Sequence, residues 1–124
     1  MKNHAKGFLD LVNDALIQVP EVDVFKINSK IEEQDKMLLI DVREDREWIE
    51  GRIPNSIHIG KGVIERDIES IITNKDEEII LYCQGGYRSA LAGESLKKMG
   101  YKNVFSMQGG FGYWVDNNFR IEKE

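Results

Sequence analysis

Two runs of apolar residues restrict what this 124-residue chain can fold into more than any other feature. Met37-Leu38-Leu39-Ile40 is apolar at every position and stops at Asp41; Ile79-Ile80-Leu81-Tyr82 does the same and stops at Cys83. A strand that is apolar on both faces must be covered on both faces, which is the condition of a central strand in a parallel sheet. Val104-Phe105 is a shorter third candidate and Ser56-Ile57-His58-Ile59 a weaker fourth. Helical spacing recurs between the runs, over 44–50, 64–73, 89–99 and from 110 into 115. In the third of these Ala92, Leu96 and Met99 share a face, Lys97 and Lys98 suit the negative helix end, and Gly100 supplies the stop. Strands alternating with helices predict an α/β fold, a small doubly wound parallel sheet flanked by helices.

Ahead of that pattern, Phe8, Leu11, Val12, Ala15, Leu16 and Val19 form one apolar stripe closed by Pro20. This predicts an additional amphipathic helix over 1–19, followed by the domain proper over 20–124. Val22, Val24 and Ile27 alternate with Asp23 and Lys26, which predicts a short edge strand. Asn28 or Ser29 is then placed to cap a short helix carrying Ile31.

Composition narrows the function classes. Hydrophobic residues make up 41% and charges of both signs are interspersed, as in a globular protein. The net charge of −5 argues against a nucleic-acid partner, which would select a basic excess. No apolar run approaches the roughly 20 residues that span a bilayer. Asp10, Asn13 and Asp14 interrupt what would be a signal-peptide core, so no membrane partner and a cytoplasmic location are expected. Cys83 is the only cysteine, which excludes an internal disulfide framework and a multi-cysteine metal site.

The chemistry concentrates where the second apolar run ends, at Cys83-Gln84-Gly85-Gly86-Tyr87-Arg88-Ser89. In open α/β sheets ligands bind outside the carboxyl ends of the strands, and Asp41 and Cys83 both sit at such ends. The helix that follows presents unpaired N–H groups and a partial positive charge. Gly85 and Gly86 let the backbone curl so that successive N–H groups aim inward, and Arg88 adds a full charge. All three effects favour a thiolate, the nucleophilic form of cysteine. A lone cysteine ending an apolar strand is ordinarily an inert packed side chain. The double glycine, the arginine and the following helix together favour the reactive reading.

This loop resembles the active-site loop of the rhodanese-like sulfurtransferases. Leu39-Ile40-Asp41-Val42-Arg43 followed by Glu47-Trp48, then Gly51-Arg52-Ile53-Pro54-Asn55-Ser56-Ile57-His58-Ile59, and Gly109-Gly110 with Trp114 agree, in the family's order, over about residues 20 to 118. The resemblance implies a two-step exchange. Cys83 takes the outer sulfur of thiosulfate or a related anionic donor as a persulfide, and cyanide, a thiol or a protein acceptor removes it. The N–H groups of Gln84, Gly85, Gly86, Tyr87, Arg88 and Ser89 would cradle the persulfide, with Arg88 binding the donor. No metal or organic cofactor is implied. Phosphatases and arsenate reductases of the same fold carry five residues between cysteine and arginine; here there are four, which favours sulfur over a tetrahedral oxyanion.

Asp41 and Arg43 match the family's D-x-R and are expected to be structural, Arg43 pairing with a neighbour such as Glu47. His58, Trp48 and Trp114 are expected to pack rather than react. Lys61 and Arg66 are placed to reach the site mouth. Gln84 stands where many thiosulfate-preferring members carry a basic residue, so the donor stays open. A persulfide carrier or partner-docking module is the alternative function.

Overall fold

The computed structural model describes residues 3–123. Five strands, β1 (Glu21–Val22), β2 (Leu38–Asp41), β3 (Ile57–His58), β4 (Glu78–Tyr82) and β5 (Asn103–Met107), form one parallel sheet in the order β1-β5-β4-β2-β3. Among the described residues six α-helices surround it: α1 (Lys6–Gln18), α2 (Val24–Glu32), α3 (Asp45–Glu50), α4 (Ile64–Ile71), α5 (Tyr87–Lys98) and α6 (Gly110–Asp116). The two all-apolar runs are the neighbouring inner strands β2 and β4, with Leu39 opposite Ile80 and Asp41 opposite Tyr82.

Side-chain alternation along β4 divides the core in two. Ile79, Leu81 and Cys83 pack with Ile64 and Ile68 of α4 and with Ala92 and Leu96 of α5. Ile80 and Tyr82 pack on the opposite face with Val24 and Ile27 of α2 and with Phe111 and Trp114 of α6. The chain leaving β2 runs on to Ile53 in the second of these cores, whereas the chain leaving β4 enters α5 in the first. Between β2 and β4 the connections therefore part to opposite faces, and the crevice this opens lies at the carboxyl ends carrying Asp41 and Cys83.

Four local expectations need correction. The alternation over Val22–Ile27 is not a strand: β1 ends at Val22, the Asp23 carboxylate accepts from the Lys26 N–H at 2.8 Å, and α2 starts at Val24. Val24, Ile27 and Ile31 are spaced i, i+3, i+7 on one helical face, so Asn28 and Ser29 lie inside the helix instead of capping it. The stripe on α1 is also narrower than expected. Val12 and Ala15 pack on Ala90 of α5, flanked by Phe8, Leu16 and Leu91, but Leu11 is 59% exposed. The small residues Ala90 and Gly93 of α5 let the α1 segment approach closely along Val12, Ala15 and Val19, and Leu11 falls outside that line. A Cβ on Gly93 would stand 2.8 Å from Cγ1 of Val19. Finally β5 runs over five residues instead of two.

Candidate active site

Cys83 leaves β4 on the face covered by α5, and its side chain is buried. Its Sγ accepts from the backbone N–H of Gly86 at 3.1 Å and of Ser89 at 3.4 Å, both at the start of α5. Ser89 Oγ lies 3.5 Å from the sulfur and 2.7 Å from Ser106 Oγ, so a buried hydroxyl pair anchors this side of the sulfur to β5. The curl depends on Gly86, whose φ of +92° lies in the left-handed region that a side chain disfavours.

A second glycine turn holds the loop from beneath. Gly110, at φ +63°, lies so close that a Cβ there would fall 2.5 Å from the Gln84 carbonyl. That approach lets the Phe111 N–H donate to the Cys83 carbonyl at 2.8 Å and the Gly112 N–H to the Gln84 carbonyl at 3.0 Å. Because the peptide unit is planar and trans, the N–H groups of Gln84 and Gly85 then point away from α6.

The charged residues are arranged differently from the sequence expectation. Arg88 forms a two-point pair with Glu47, Nη1 to Oε1 at 3.0 Å and Nη2 to Oε2 at 3.2 Å. Glu47 also accepts from the Glu44 N–H at 3.0 Å, closing the capping box of α3. Burial would raise the Glu47 carboxyl, but the hydrogen bonds from Arg88 and the Glu44 amide outweigh it and hold it below the ordinary carboxylate range. The same pairing raises Arg88. Arg43 does not pair with Glu47. It is buried, gripping Asp41 through Nε and Nη2 and donating to the Gly51 carbonyl at 2.6 Å, with its guanidinium 4.2 Å from the centre of the Phe111 ring. Burial lowers Arg43, yet the contact with Asp41 more than compensates and leaves it raised.

A cavity of about 750 Å³ opens over the sulfur. Cys83, Gln84, Gly85, Tyr87 and Arg88 line it from the loop, together with His4 and Phe8 from the N-terminal segment and Arg46 and Glu47 from α3. Lys61 and Arg66 are not brought to it. Lys61 borders a separate depression with Glu44 and Asp45, and Arg66 is turned onto Asp67 at 2.7 Å. Asp41 and Arg43 stand behind the loop, Arg43 reaching Gln84 Oε1 at 3.5 Å. His58 donates from Nε2 to the Arg43 carbonyl at 2.8 Å and stacks on Trp48, which is half-buried; Trp114 is fully buried. Sequence reasoning missed Arg46 and His4, which carry no motif signal, and Phe8, which had been assigned only to packing. Among the described residues no group of three or more His, Cys, Asp or Glu could hold a metal ion, and no helix is long and apolar enough to cross a membrane.

A family model for the rhodanese-like domain matches residues 26–117. This chain belongs to the rhodanese-like family. A candidate sulfurtransferase of Bacillus subtilis, YtwF, is 36% identical over 98 residues, covering 79% of this chain and 92% of that protein. YrkF of the same organism, named as a candidate sulfur carrier protein, is 30% identical over 97 residues; the match covers 78% of this chain but only 51% of that protein. Among solved structures, a Rhodopseudomonas palustris protein of unknown function, described as a possible tyrosine phosphatase, superposes with a TM-score of 0.85 at 27% identity. It covers 98% of both chains, so the likeness extends over α1, which precedes the residues matched by the rhodanese-like model.

Proposed function

We propose that this rhodanese-like protein is a sulfurtransferase that carries sulfane sulfur as a persulfide on Cys83, with thiosulfate or a related anion as donor. The observation that carries this reading is the Cys83 sulfur, held by two inward N–H donors at a helix N-terminus and facing an open cavity. In the first step the Cys83 thiolate attacks the outer sulfur of thiosulfate. The S–S bond of the donor breaks, sulfite departs with the electron pair, and Cys83 bears one added sulfur. In the second step cyanide or a thiolate attacks that sulfur, the Cys83 S–S bond breaks, and the thiolate returns. The loop, with four residues between cysteine and arginine, favours this over phosphate chemistry, and its arginine is already engaged by Glu47.

Intact mass after incubation with thiosulfate tests it. Cys83 should gain one sulfur atom, lose it to cyanide, and gain none as Cys83→Ser. Since Cys83 is the only thiol, discharge has to be intermolecular. An added mass that survives cyanide, or that appears in Cys83→Ser, removes the mechanism. Similarity to the candidate carrier YrkF favours a second reading, a persulfide carrier that loads once and unloads onto a protein. Multiple turnover with free donor and acceptor separates the two.

A further inference from the structure

The cavity over Cys83 is far larger than thiosulfate needs. At about 750 Å³ it falls in the range of roughly 300–1,000 Å³ typical of pockets that enclose small organic molecules. One wall is aromatic and comes partly from the N-terminal segment. The His4 ring lies 4.7 Å from that of Tyr87 and 5.1 Å from that of Phe8, and the Phe8 and Tyr87 rings are 6.0 Å apart. None of the three is used by the transfer chemistry. Two arginines also line the cavity, but Glu47 neutralises Arg88. Arg46 is exposed and forms no hydrogen bond or ion pair with a described residue, so it is the cavity's uncompensated cation.

We propose, building on the sulfurtransferase reading, that His4, Phe8 and Arg46 are specificity-determining residues. They select an organic sulfur donor bearing an aromatic or apolar body beside its anionic group. The ring wall takes the body, Arg46 takes the anion, and the outer sulfur faces Cys83. With a thiosulfonate the step balances as for thiosulfate: the Cys83 thiolate bonds the outer sulfur, the donor S–S bond breaks, and a sulfinate leaves with the electron pair. The ring part of this selection then depends on His4 and Phe8, outside the matched family region of 26–117, while Arg46 lies within it.

The test uses the full chain with benzenethiosulfonate and methanethiosulfonate as donors and cyanide as acceptor. Wild type should favour the benzene donor in kcat/KM beyond the ratio of the two uncatalysed reactions. Phe8→Leu, which keeps an apolar side chain in the packing, and His4→Ala should each lower the benzene-to-methane ratio by roughly three- to ten-fold. Arg46→Gln should raise KM for both donors by a similar factor and leave the ratio in place. An unchanged ratio in both ring variants overturns the aromatic assignment, and an unchanged KM in Arg46→Gln overturns the anion assignment. Protection of Cys83 from iodoacetamide gives a readout without turnover. Benzenesulfonate should protect at lower concentration than methanesulfonate, and Phe8→Leu should remove that advantage. Sulfur loading from both donors with no ring preference sinks this inference and spares the sulfurtransferase. Ring-dependent protection without any sulfur loading does the reverse.

Discussion

Glu47 decides what the loop arginine is free to do. A guanidinium locked to a carboxylate by two hydrogen bonds presents little net charge to an incoming anion. Glu47→Gln keeps an acceptor for Arg88 and for the Glu44 amide but removes the negative charge. The KM for thiosulfate should fall several-fold in that variant, and the gain should shrink at high ionic strength as the exposed part of the cavity is screened. An unaltered KM would mean that the donor does not sense this pair. The same substitution has a pH signature. The folded Glu47 carboxyl is held low, so its stabilising contribution is complete above the unfolded value of about 4.3 and is lost as pH falls through the folded value. Glu47→Gln should therefore flatten the acid limb of the stability curve below that point. At this scale Cys83 was legible in sequence, because a strand end, two glycines and a helix start are local features. The pairing of Arg88 with Glu47 was not. It joins positions 41 apart, and either arginine could have met that carboxylate until the fold buried Arg43 on Asp41.

Between elements, the contact of α1 with α5 makes the sharpest demand. Gly93 is a poor residue for a helix interior, by about 1 kcal/mol relative to alanine. It is there because Val19 occupies the space a Cβ would need, 2.8 Å from Cγ1 and 3.1 Å from Cγ2. Gly93→Ala should destabilise the protein by roughly 1–3 kcal/mol despite its better helix propensity. Adding Val19→Ala should recover part of that loss, although Val19→Ala alone is also destabilising. Urea midpoints for the two single variants and the double variant check this, and strict additivity would show that the two sites do not meet. The central strands were legible because nothing but a covered strand tolerates apolar residues on both faces. β5 was underestimated because Ser106, buried and bonded to Ser89, reads as a strand end in sequence. Asp23 misled in the opposite sense: one capping carboxylate turned an apparent alternation into a helix.

Across the whole molecule the parts are joined by one buried ion pair. Arg43 and Asp41 are 3% and 0% exposed, and the guanidinium also holds the Gly51 carbonyl and rests on Phe111. The pair therefore ties the end of β2 to the end of α3 and to α6, the helix whose amides orient the Cys83 loop. A buried pair need not be better than an apolar substitute, but removing one partner leaves a charge with no compensation, typically at about 3–5 kcal/mol. Domains of this size are stable by only about 5–15 kcal/mol, so Arg43→Ala should lose a large share of the total. Arg43→Lys keeps the charge without the fork that spans both Asp41 oxygens and Gly51, and should fall between. The expected result is a lower urea midpoint with an unchanged slope, since folding stays cooperative while its free energy drops. If Arg43→Ala unfolds within about 1 kcal/mol of wild type, water must reach Asp41 once the guanidinium is gone. The tie between the cores would then rest on Phe111 and its neighbours, and the sulfur loop would keep its shape without the pair.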